Sequence, residues 1–328
     1  MFEHVVGPDR ESSIVNGERH LVDREKRVIR RIGSTLRVLC TTIKRRNDTK
    51  DQFVVRSKRI PISLGACTTA LLLYVFLGST VYAQSAIPVI RLGSDIEIRV
   101  IDSGVFVVTH SFPWPANSMF VLIGDHDLVF VDTPYTAEAT SLVLDWITDI
   151  FGQRDIIEIN TGFHVDNLGG NQAFIDRNIP VYGSDRTVEL IRERGEKSRD
   201  LILNWLSSPD NARFYNRHAS LPYTPPNHLF PLSEGKTLTI GSETVEIIFP
   251  GETHAPDNTV VYFPQRKLLF GGCMILAGNG TGNLADANLT TWKDAVVRLE
   301  SLDCRIIVPG HGLRFDTGLI QNTINALP

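Results

Sequence analysis

Four separated segments of this 328-residue chain carry side chains that commonly bind metal ions, and each comes shortly after a predicted strand. They contain His164 with Asp166, His254, Cys273 and His311, and each has a glycine or proline beside it. Imidazole, thiolate and carboxylate together suit Zn²⁺, and glycines let the backbone pack close to an ion. A lone histidine is more often a polar core or surface residue, but the joint occurrence predicts a shared metal site.

Other cysteines and histidines have different interpretations. In an oxidising compartment Cys273 is able to pair with Cys304, which is the alternative to a metal-binding thiolate. Four further histidines lack a neighbouring ligand pattern and are predicted to be surface or loop residues: His110, His126, His218 and His228.

Charge is unevenly distributed along the chain. Residues 1–59 hold 15 lysine and arginine residues against 8 acidic ones, whereas the rest holds 18 against 29. The formal net charge of −4 therefore averages a basic segment and an acidic remainder. The contents of glycine (25), proline (17) and cysteine (4) exclude a collagen, a low-complexity chain and a disulfide-rich mini-protein, and they leave an ordinary globular protein.

Residues 60–90 carry no charged side chain. The basic residues at 56–59 precede this apolar stretch and a small-residue site ending at Ala83 follows it, the order of a secretory signal peptide. We therefore expect a signal peptide at 56–83, and a periplasmic protein. An uncleaved anchor helix is the alternative, because the uncharged run is long enough to span a bilayer. Residues 1–55 are then a disordered cytoplasmic extension or the product of a misassigned start codon.

The remainder, residues 84–328, has a length that suits one large domain. Gly124-Asp125-His126 joins two apolar runs as a hairpin turn does, and Pro134 and Thr136 precede an amphipathic helical pattern. Strands followed by helices in two similar halves predict an α/β fold, a sandwich of two mixed β-sheets with helices on the outer faces. The predicted strands lie at 96–101, 105–110, 118–123, 127–132, 156–159, 181–183, 237–240, 244–249, 259–263, 267–270 and 305–308, and helices include 187–194, 199–206 and 289–302. Residues 207–227 are rich in proline, asparagine and serine and are predicted to form a loop.

Taken together, six short segments resemble the metallo-β-lactamases. They are spread over nearly all of residues 95–328, so that the combination is specific although each segment alone is weak. The segments are VDTP (131–134), INTGFHVDNLGGN (159–171), GETHAPDN (251–258), GGC (271–273), GNLADA (282–287) and PGHG (309–312).

The resemblance implies an αββα sandwich with zinc bound at one edge of the sheets. Matched position by position, Asp166, Cys273 and His311 would form an Asp-Cys-His zinc site, and His164 and His254 would belong to a three-histidine site. The third residue of that second site falls on Gly162, which has no side chain to act as a ligand. One tightly bound zinc ion is therefore expected, and a second ion should bind weakly or not at all.

The segments mix the signatures of two subclasses. Asn160-Thr161, Asn117-Ser118-Met119, the helical segment near 199–206 and the short flap at 112–115 resemble the mono-zinc, carbapenem-selective subclass. By contrast, Gly272-Cys273, Asp286-Ala287-Asn288 and Pro309-Gly310-His311-Gly312 resemble the di-zinc, broad-spectrum subclass.

By resemblance, His164 and Asp166 would orient the attacking water, His254 would donate a hydrogen bond to the water or the carbonyl oxygen, and Asn283 would hold the substrate. These enzymes commonly carry a lysine three residues after the cysteine ligand to pair with the drug's carboxylate. Here that residue is Leu276, and Arg314, just after His311, is either its substitute or a solvated surface residue.

The resulting expectation is a monomeric zinc hydrolase that opens β-lactam rings, prefers carbapenems and confers antibiotic resistance. Its partner is a small β-lactam substrate, with no nucleic acid and no stable membrane association after cleavage. Two alternatives remain: another hydrolase of the same fold, of the lactonase or thioesterase type, or a catalytically weak zinc-binding scaffold, which Gly162 and Leu276 would favour.

Overall fold

The computed structural model describes residue 87 and residues 89–328. The expected N-terminal extension (1–55) and signal peptide (56–83) lie outside the described residues, so both remain expectations. In the described part of the chain, no helix is both long and apolar enough to cross a membrane.

The first sheet has eight strands that pair in the order in which they follow along the chain. Strands β1 to β5 form an antiparallel meander, and β5 to β8 are parallel to one another. Their bounds are β1 Val89–Leu92, β2 Ile96–Asp102, β3 Val105–Ser111, β4 Pro115–Ile123, β5 Asp127–Val131, β6 Asp155–Ile159, β7 Val181–Ser184 and β8 His228–Phe230.

The second sheet has five strands in the order β13-β12-β11-β10-β9. Its neighbouring strands are antiparallel, apart from the parallel pair β12 and β13. Their bounds are β9 Lys236–Ile240, β10 Glu243–Ile248, β11 Val260–Phe263, β12 Leu268–Leu276 and β13 Ile306–His311.

Helices cover the outer faces of both sheets. The helices are α1 Ala137–Phe151, α2 Val165–Leu168, α3 Asn171–Ile175, α4 Asp185–Trp205, α5 Ala212–Ala219, α6 Trp292–Arg298 and α7 Gly318–Ala326. Helix α1 begins after Thr136, whose hydroxyl oxygen accepts a hydrogen bond from the Ala139 amide at 3.1 Å, as the sequence predicts for a helix start here.

Three apolar clusters define the layers. Val107, Phe263 and Val308 belong to the core between the two sheets. Phe106 and Val108, on the opposite face of β3, pack with Val143 of α1, so that β3 is buried on both faces. The outer face of the second sheet packs against α6 and α7 in a third cluster. The predicted α/β sandwich with helices outside is therefore confirmed.

Two predictions about the helices were wrong. The helices expected at 187–194 and 199–206 are one continuous helix, α4. The segment that follows also contains α5, although its proline, asparagine and serine content predicted a loop.

Candidate metal centre and active site

Three ligand-type side chains from both sheets meet at one edge of the sandwich. Asp166 lies in α2, just after β6, whereas Cys273 belongs to β12 and His311 is the last residue of β13. The Asp166 Oδ2 atom lies 3.4 Å from Cys273 Sγ and 3.1 Å from His311 Nε2. Cys273 Sγ and His311 Nε2 are 3.8 Å apart. All three ligand atoms thus lie within 4.8 Å of one another, and the structure brings together residues that are distant in sequence.

Cys273 lies within β12, next to an irregularity in the pairing of this strand with β13. The pairing of β12 with β13 shifts register on either side of Gly272, which has a φ of 53°. A Cβ atom at this position would also lie 3.0 Å from Thr161 Oγ1. Glycine therefore permits both the left-handed backbone and the close approach to Thr161. The sequence predicted that this strand ends at residue 270, before Cys273, and that prediction was wrong, because the strand continues to Leu276.

The three side chains fit a tetrahedral zinc ion. Zinc–ligand bonds of about 2.0–2.3 Å place neighbouring ligand atoms roughly 3.3–3.6 Å apart in a tetrahedron. The observed separations of 3.1, 3.4 and 3.8 Å are close to that range. His311 Nδ1 lies 2.8 Å from the Pro115 carbonyl oxygen, which can only accept a hydrogen bond, so that Nε2 is left with the lone pair that a metal needs.

The charges around the three ligands also suit a cation. Burial raises the pKa of the Asp166 carboxyl, but the hydrogen bond and charge of His311 and the nearby imidazoles outweigh it and hold that pKa well below its ordinary value. Burial, with the neighbouring Asp166 carboxylate, raises the pKa of the Cys273 thiol. A bound metal ion supplies the positive charge that keeps such a thiol deprotonated.

His164 and His254 form the adjoining part of the site. Their ring centroids are 5.2 Å apart with the rings nearly perpendicular, and both side chains are buried. His164 Nε2 lies 3.2 Å from Asp286 Oδ2, whereas His254 Nδ1 is buried without a hydrogen-bond partner. Burial lowers the pKa of His254 to about 3, so that this imidazole is neutral at pH 7.

Gly162 lies among polar side chains, at the position that matches the third ligand of the three-histidine site in the family it resembles. An added Cβ atom would meet Asn258 Nδ2 at 2.5 Å, Asn167 Oδ1 at 3.3 Å and Asp257 Oδ1 at 3.7 Å. In the described part of the chain, no third imidazole, thiol or carboxylate joins His164 and His254 in a group compact enough to hold a metal ion.

A buried carboxylate supports the segment that leads into the site. Asp132, with a φ of 54°, accepts hydrogen bonds from the Thr161 amide at 2.8 Å, the Thr161 hydroxyl at 2.7 Å and Asn167 Nδ2 at 2.8 Å. Burial raises the pKa of Asp132 to about 8, although those three hydrogen bonds favour the charged form. The backbone at Thr161, next to Gly162, is thereby fixed.

The three positions considered for substrate binding, Asn283, Leu276 in place of the family's lysine, and Arg314, occupy different environments. Asn283 Oδ1 accepts a hydrogen bond from the Ala285 amide at 3.0 Å, which leaves its Nδ2 group as a donor. Leu276 is buried in the outer cluster of the second sheet and presents no charge. Arg314 contacts Asp316 at 3.0 Å and Asn322 at 3.1 Å, so that its guanidinium is engaged on the surface.

The disulfide alternative and two histidine predictions were wrong. Cys273 and Cys304 are both unpaired. His110 and His218 were expected on the surface or in loops, but both are buried and stack on Phe112 in an aromatic cluster. His110 Nδ1 accepts a hydrogen bond from the Tyr135 amide, and His218 bonds to the Phe112 carbonyl oxygen, contacts that no local pattern reveals.

Sequence reasoning missed two side-chain ties from α4 to the site. Arg194 Nη1 lies 2.8 Å from Asp286 Oδ1, and the Thr187 hydroxyl donates to Asp257 Oδ2 at 2.7 Å. Asp286 belongs to one of the six segments that resemble the metallo-β-lactamases. Its contact with His164, however, joins residues that are 122 positions apart in sequence. The sequence offered one signal for these contacts: Thr187 and Arg194 are seven residues apart and so lie on one face of a predicted helix.

Comparison with known proteins agrees with this geometry. A family model described as the metallo-beta-lactamase superfamily matches residues 112–311. The chain is 27% identical over 266 residues to a metallo-beta-lactamase type 2 of Bacteroides fragilis, covering 78% of this chain and 94% of that protein. It is 29% identical over 256 residues to one of Pseudomonas aeruginosa, covering 76% and 88%.

Solved structures show the same likeness. A metallo-beta-lactamase from Pontibacter korlensis is 28% identical, with a TM-score of 0.54 over 73% of this chain and 98% of that one. A metallo-beta-lactamase from Erythrobacter litoralis is 23% identical, with a TM-score of 0.56 over the same shares, and shows the fold alone.

Proposed function

The chain belongs to the metallo-beta-lactamase superfamily, and from that premise we propose that it is a hydrolase that opens the amide bond of β-lactam rings, with carbapenems as its preferred substrates. The observation that carries the proposal is the cluster of Asp166, Cys273 and His311 beside two further buried imidazoles. Family membership implies zinc, and the donor set of one carboxylate, one thiol and one imidazole suits it.

In this proposal Asp166, Cys273 and His311 hold one zinc ion. The bound ion would supply Lewis acidity, which activates water at neutral pH and stabilises negative charge as the ring opens. Three protein ligands would leave room on the ion for water or substrate, as catalytic rather than structural zinc sites do.

The other side chains would bind and orient the reactants. The hydrogen bond of His164 Nε2 to Asp286 leaves Nδ1 as the acceptor that orients a water molecule together with Asp166. His254 is neutral at pH 7, so that it donates one hydrogen bond to the water or the carbonyl oxygen rather than delivering a proton as an acid. Asn283 Nδ2 is the amide donor for the substrate.

A single tightly bound ion is the stoichiometry that the residues favour. Gly162 supplies no ligand, and the space beside its Cα is taken by the Asn258 side chain. Asn258 is held there because its Oδ1 accepts a hydrogen bond from the Ala255 amide at 2.8 Å. His164 and His254 alone therefore make a weak second site.

Hydrolysis of a panel of substrates by the purified protein tests the proposal. A carbapenem should be hydrolysed with a higher kcat/KM than a penicillin or a cephalosporin, and Cys273→Ser should abolish all three reactions. Hydrolysis of a lactone or thioester without any β-lactam would instead favour another hydrolase of this fold. A folded, zinc-loaded protein without turnover of any of them would favour a zinc-binding scaffold.

We also propose that the protein is exported to the periplasm as a monomer and confers resistance there. The support is the order of basic, apolar and small residues at 56–83. N-terminal sequencing of the exported protein should give a chain that starts at Gln84, and a mature chain that starts before residue 60 would contradict export by cleavage.

A further inference from the structure

Asp286 bridges the active-site imidazole of His164 to a helix outside the metal cluster. One carboxylate oxygen lies 3.2 Å from His164 Nε2 and the other lies 2.8 Å from Arg194 Nη1. The side chains of His164 and Asp286 are 7% and 13% exposed, so that little water competes for these contacts. An ionised carboxylate only accepts hydrogen bonds, and Nε2 is therefore the protonated nitrogen of a neutral His164.

We propose that Arg194 is a positioning residue for His164. Its guanidinium holds the Asp286 carboxylate against Nε2, and the carboxylate in turn fixes both the ring orientation and the tautomer in which Nδ1 carries the lone pair. The inference deepens the proposed function and rests on it for the kinetic part of its test.

Helix α4 is a firm support for this guanidinium. Thr187 ties its first turn to Asp257, on the loop that follows His254, and Arg199 Nη2 donates to the Leu221 carbonyl oxygen at 2.9 Å. Between these ties Leu190 is fully buried among Phe163, Leu168 and Ala255, the residues around both histidines. Arg194 therefore extends from a helix that is fixed on either side of it.

Asp286 itself has weaker local support. It lies between β12 and α6, in a segment without regular secondary structure, so no helix or strand fixes its side chain. The main-chain N–H of Asn288, two residues later, donates a hydrogen bond to the Thr253 carbonyl oxygen at 2.8 Å. That contact fixes the main chain and not the Asp286 carboxylate. The orientation of the carboxylate consequently depends on its two partners, His164 and Arg194.

Gly162 makes the orientation of His164 depend more strongly on Asp286. That position has no side chain, and among the described residues no third ligand joins His164 and His254 to help fix His164 through a shared ion. The neighbouring His254 meets His164 only edge to face, with its own Nδ1 unpartnered. Partners of this kind typically change metal affinity or activity by about 10- to 100-fold when they are removed.

A simple surface ion pair is the competing explanation. The Arg194 side chain is 37% exposed, and an exposed ion pair changes stability little and leaves a neighbouring imidazole unchanged. The two explanations differ in what they predict for the nitrogens of His164, which can be measured directly.

The test compares Arg194→Met with Arg192→Met, because Arg192 is an exposed residue on the same helix. Long-range ¹⁵N–¹H correlation spectra of the metal-free full chain, at a pH at which the imidazole is neutral, report the His164 tautomer. We expect the Nε2–H tautomer in the wild type and in Arg192→Met, and a mixture of tautomers in Arg194→Met. Arg194→Lys, which keeps the charge, should restore most of the wild-type spectrum.

The kinetic readout uses the zinc-loaded variants. Arg194→Met should lower kcat for a carbapenem about tenfold with little change in KM, whereas Arg192→Met should match the wild type. An unchanged His164 spectrum in a folded Arg194→Met variant would overturn the inference. If the wild type hydrolyses no β-lactam, the proposed function fails, but the spectra of the metal-free protein still decide whether Arg194 positions His164.

Discussion

His164 and His254 are neighbouring buried imidazoles whose surroundings shift their pKa values in opposite directions. Burial lowers the pKa of His164, but the hydrogen bond of Asp286 and the charges of three nearby carboxylates outweigh this effect and raise it. For His254, burial and the adjacent His164 outweigh the Asp166 charge and a hydrogen bond to the Asn283 backbone, and they lower the pKa to about 3. Two identical side chains are thus suited to different tasks, one as an oriented acceptor and one as a neutral donor.

At the residue scale, side-chain chemistry was more predictable than side-chain environment. The types of ligand at 166, 273 and 311 are visible in the sequence, and the structure brings these residues together. The burial of His110 and the crowding around Gly162 were not predictable, because both arise from contacts with segments far away in sequence. That Asp166, Cys273 and His311 bind a metal ion stays a prediction, which metal analysis tests.

Replacing Cys273 by serine should abolish retention of zinc. The substitution removes a soft, buried thiol 3.4 Å from Asp166 and 3.8 Å from His311. Zinc content after dialysis is the measurement, and Cys304→Ser is the matched control, since Cys304 is also unpaired but lies outside the cluster. Equal zinc content in both variants would contradict the assignment of Cys273 as a ligand.

Asp257 should make stability depend on pH. Burial raises the pKa of this carboxyl from 3.8 to about 6, and its Oδ1 atom has no hydrogen-bond partner. The folded state therefore keeps a proton that the unfolded chain releases, so the stabilisation is fully present below about pH 4 and is lost as the pH rises through about 6.

The measurement compares the wild type with Asp257→Asn, which cannot ionise. Between pH 4 and pH 7 the free energy of unfolding of the wild type should fall by about 2 kcal/mol relative to the variant, most of the effect of a shift of about two pKa units. Urea denaturation at both pH values gives the difference, with exposed Asp210→Asn as the control. If the free energies of unfolding of the wild type and Asp257→Asn differed by the same amount at both pH values, the prediction would be refuted.

At the element scale, α4 connects the sheet scaffold to the histidines. The two helices predicted from the sequence lie on either side of Gly195, and glycine in a helix interior costs about 1 kcal/mol relative to alanine. The helix nevertheless continues through it, and a Cβ atom there would lie 3.3 Å from the Tyr223 ring. Close packing against Tyr223 overrides the local preference, and sequence periodicity alone does not reveal such packing.

Leu190 should be the residue of α4 whose truncation destabilises the protein most clearly. Its side chain is fully buried against Phe163, Leu168 and Ala255, so Leu190→Ala leaves a cavity beneath the site. We expect a loss of about 3 kcal/mol in the free energy of unfolding, measured by urea denaturation. Leu142→Ala in α1, where the leucine is 44% exposed, should lose far less. Comparable losses in the two variants would show that α4 is not packed as described.

At the scale of the whole molecule, the candidate metal ligands come from both halves of the sandwich. Asp166 follows strand β6 of the first sheet, whereas Cys273 and His311 belong to strands of the second sheet. The layered arrangement was predictable, because strand-rich segments with apolar faces must bury them against one another and against helices. The pairing of β12 with β13 across 29 intervening residues was not, since parallel partners carry no local turn signal.

Zinc should therefore stabilise the entire domain. An ion that binds the folded protein and not the unfolded chain adds about 2.7 kcal/mol when its free concentration is 100 times its Kd. The thermal midpoint of the metal-free protein should rise when zinc is added, and that of Cys273→Ser should not. A zinc-independent midpoint in the wild type would contradict a site that links the two sheets.

The most direct test of the central claim is a titration of the metal-free protein with zinc while carbapenem hydrolysis is recorded. One site formed by Asp166, Cys273 and His311 predicts that turnover rises in proportion to added zinc and reaches its maximum at one ion per chain. A maximum at two tightly bound ions would contradict the single-ion site. The absence of turnover at any zinc content, in a protein that remains folded, would contradict the proposed hydrolase.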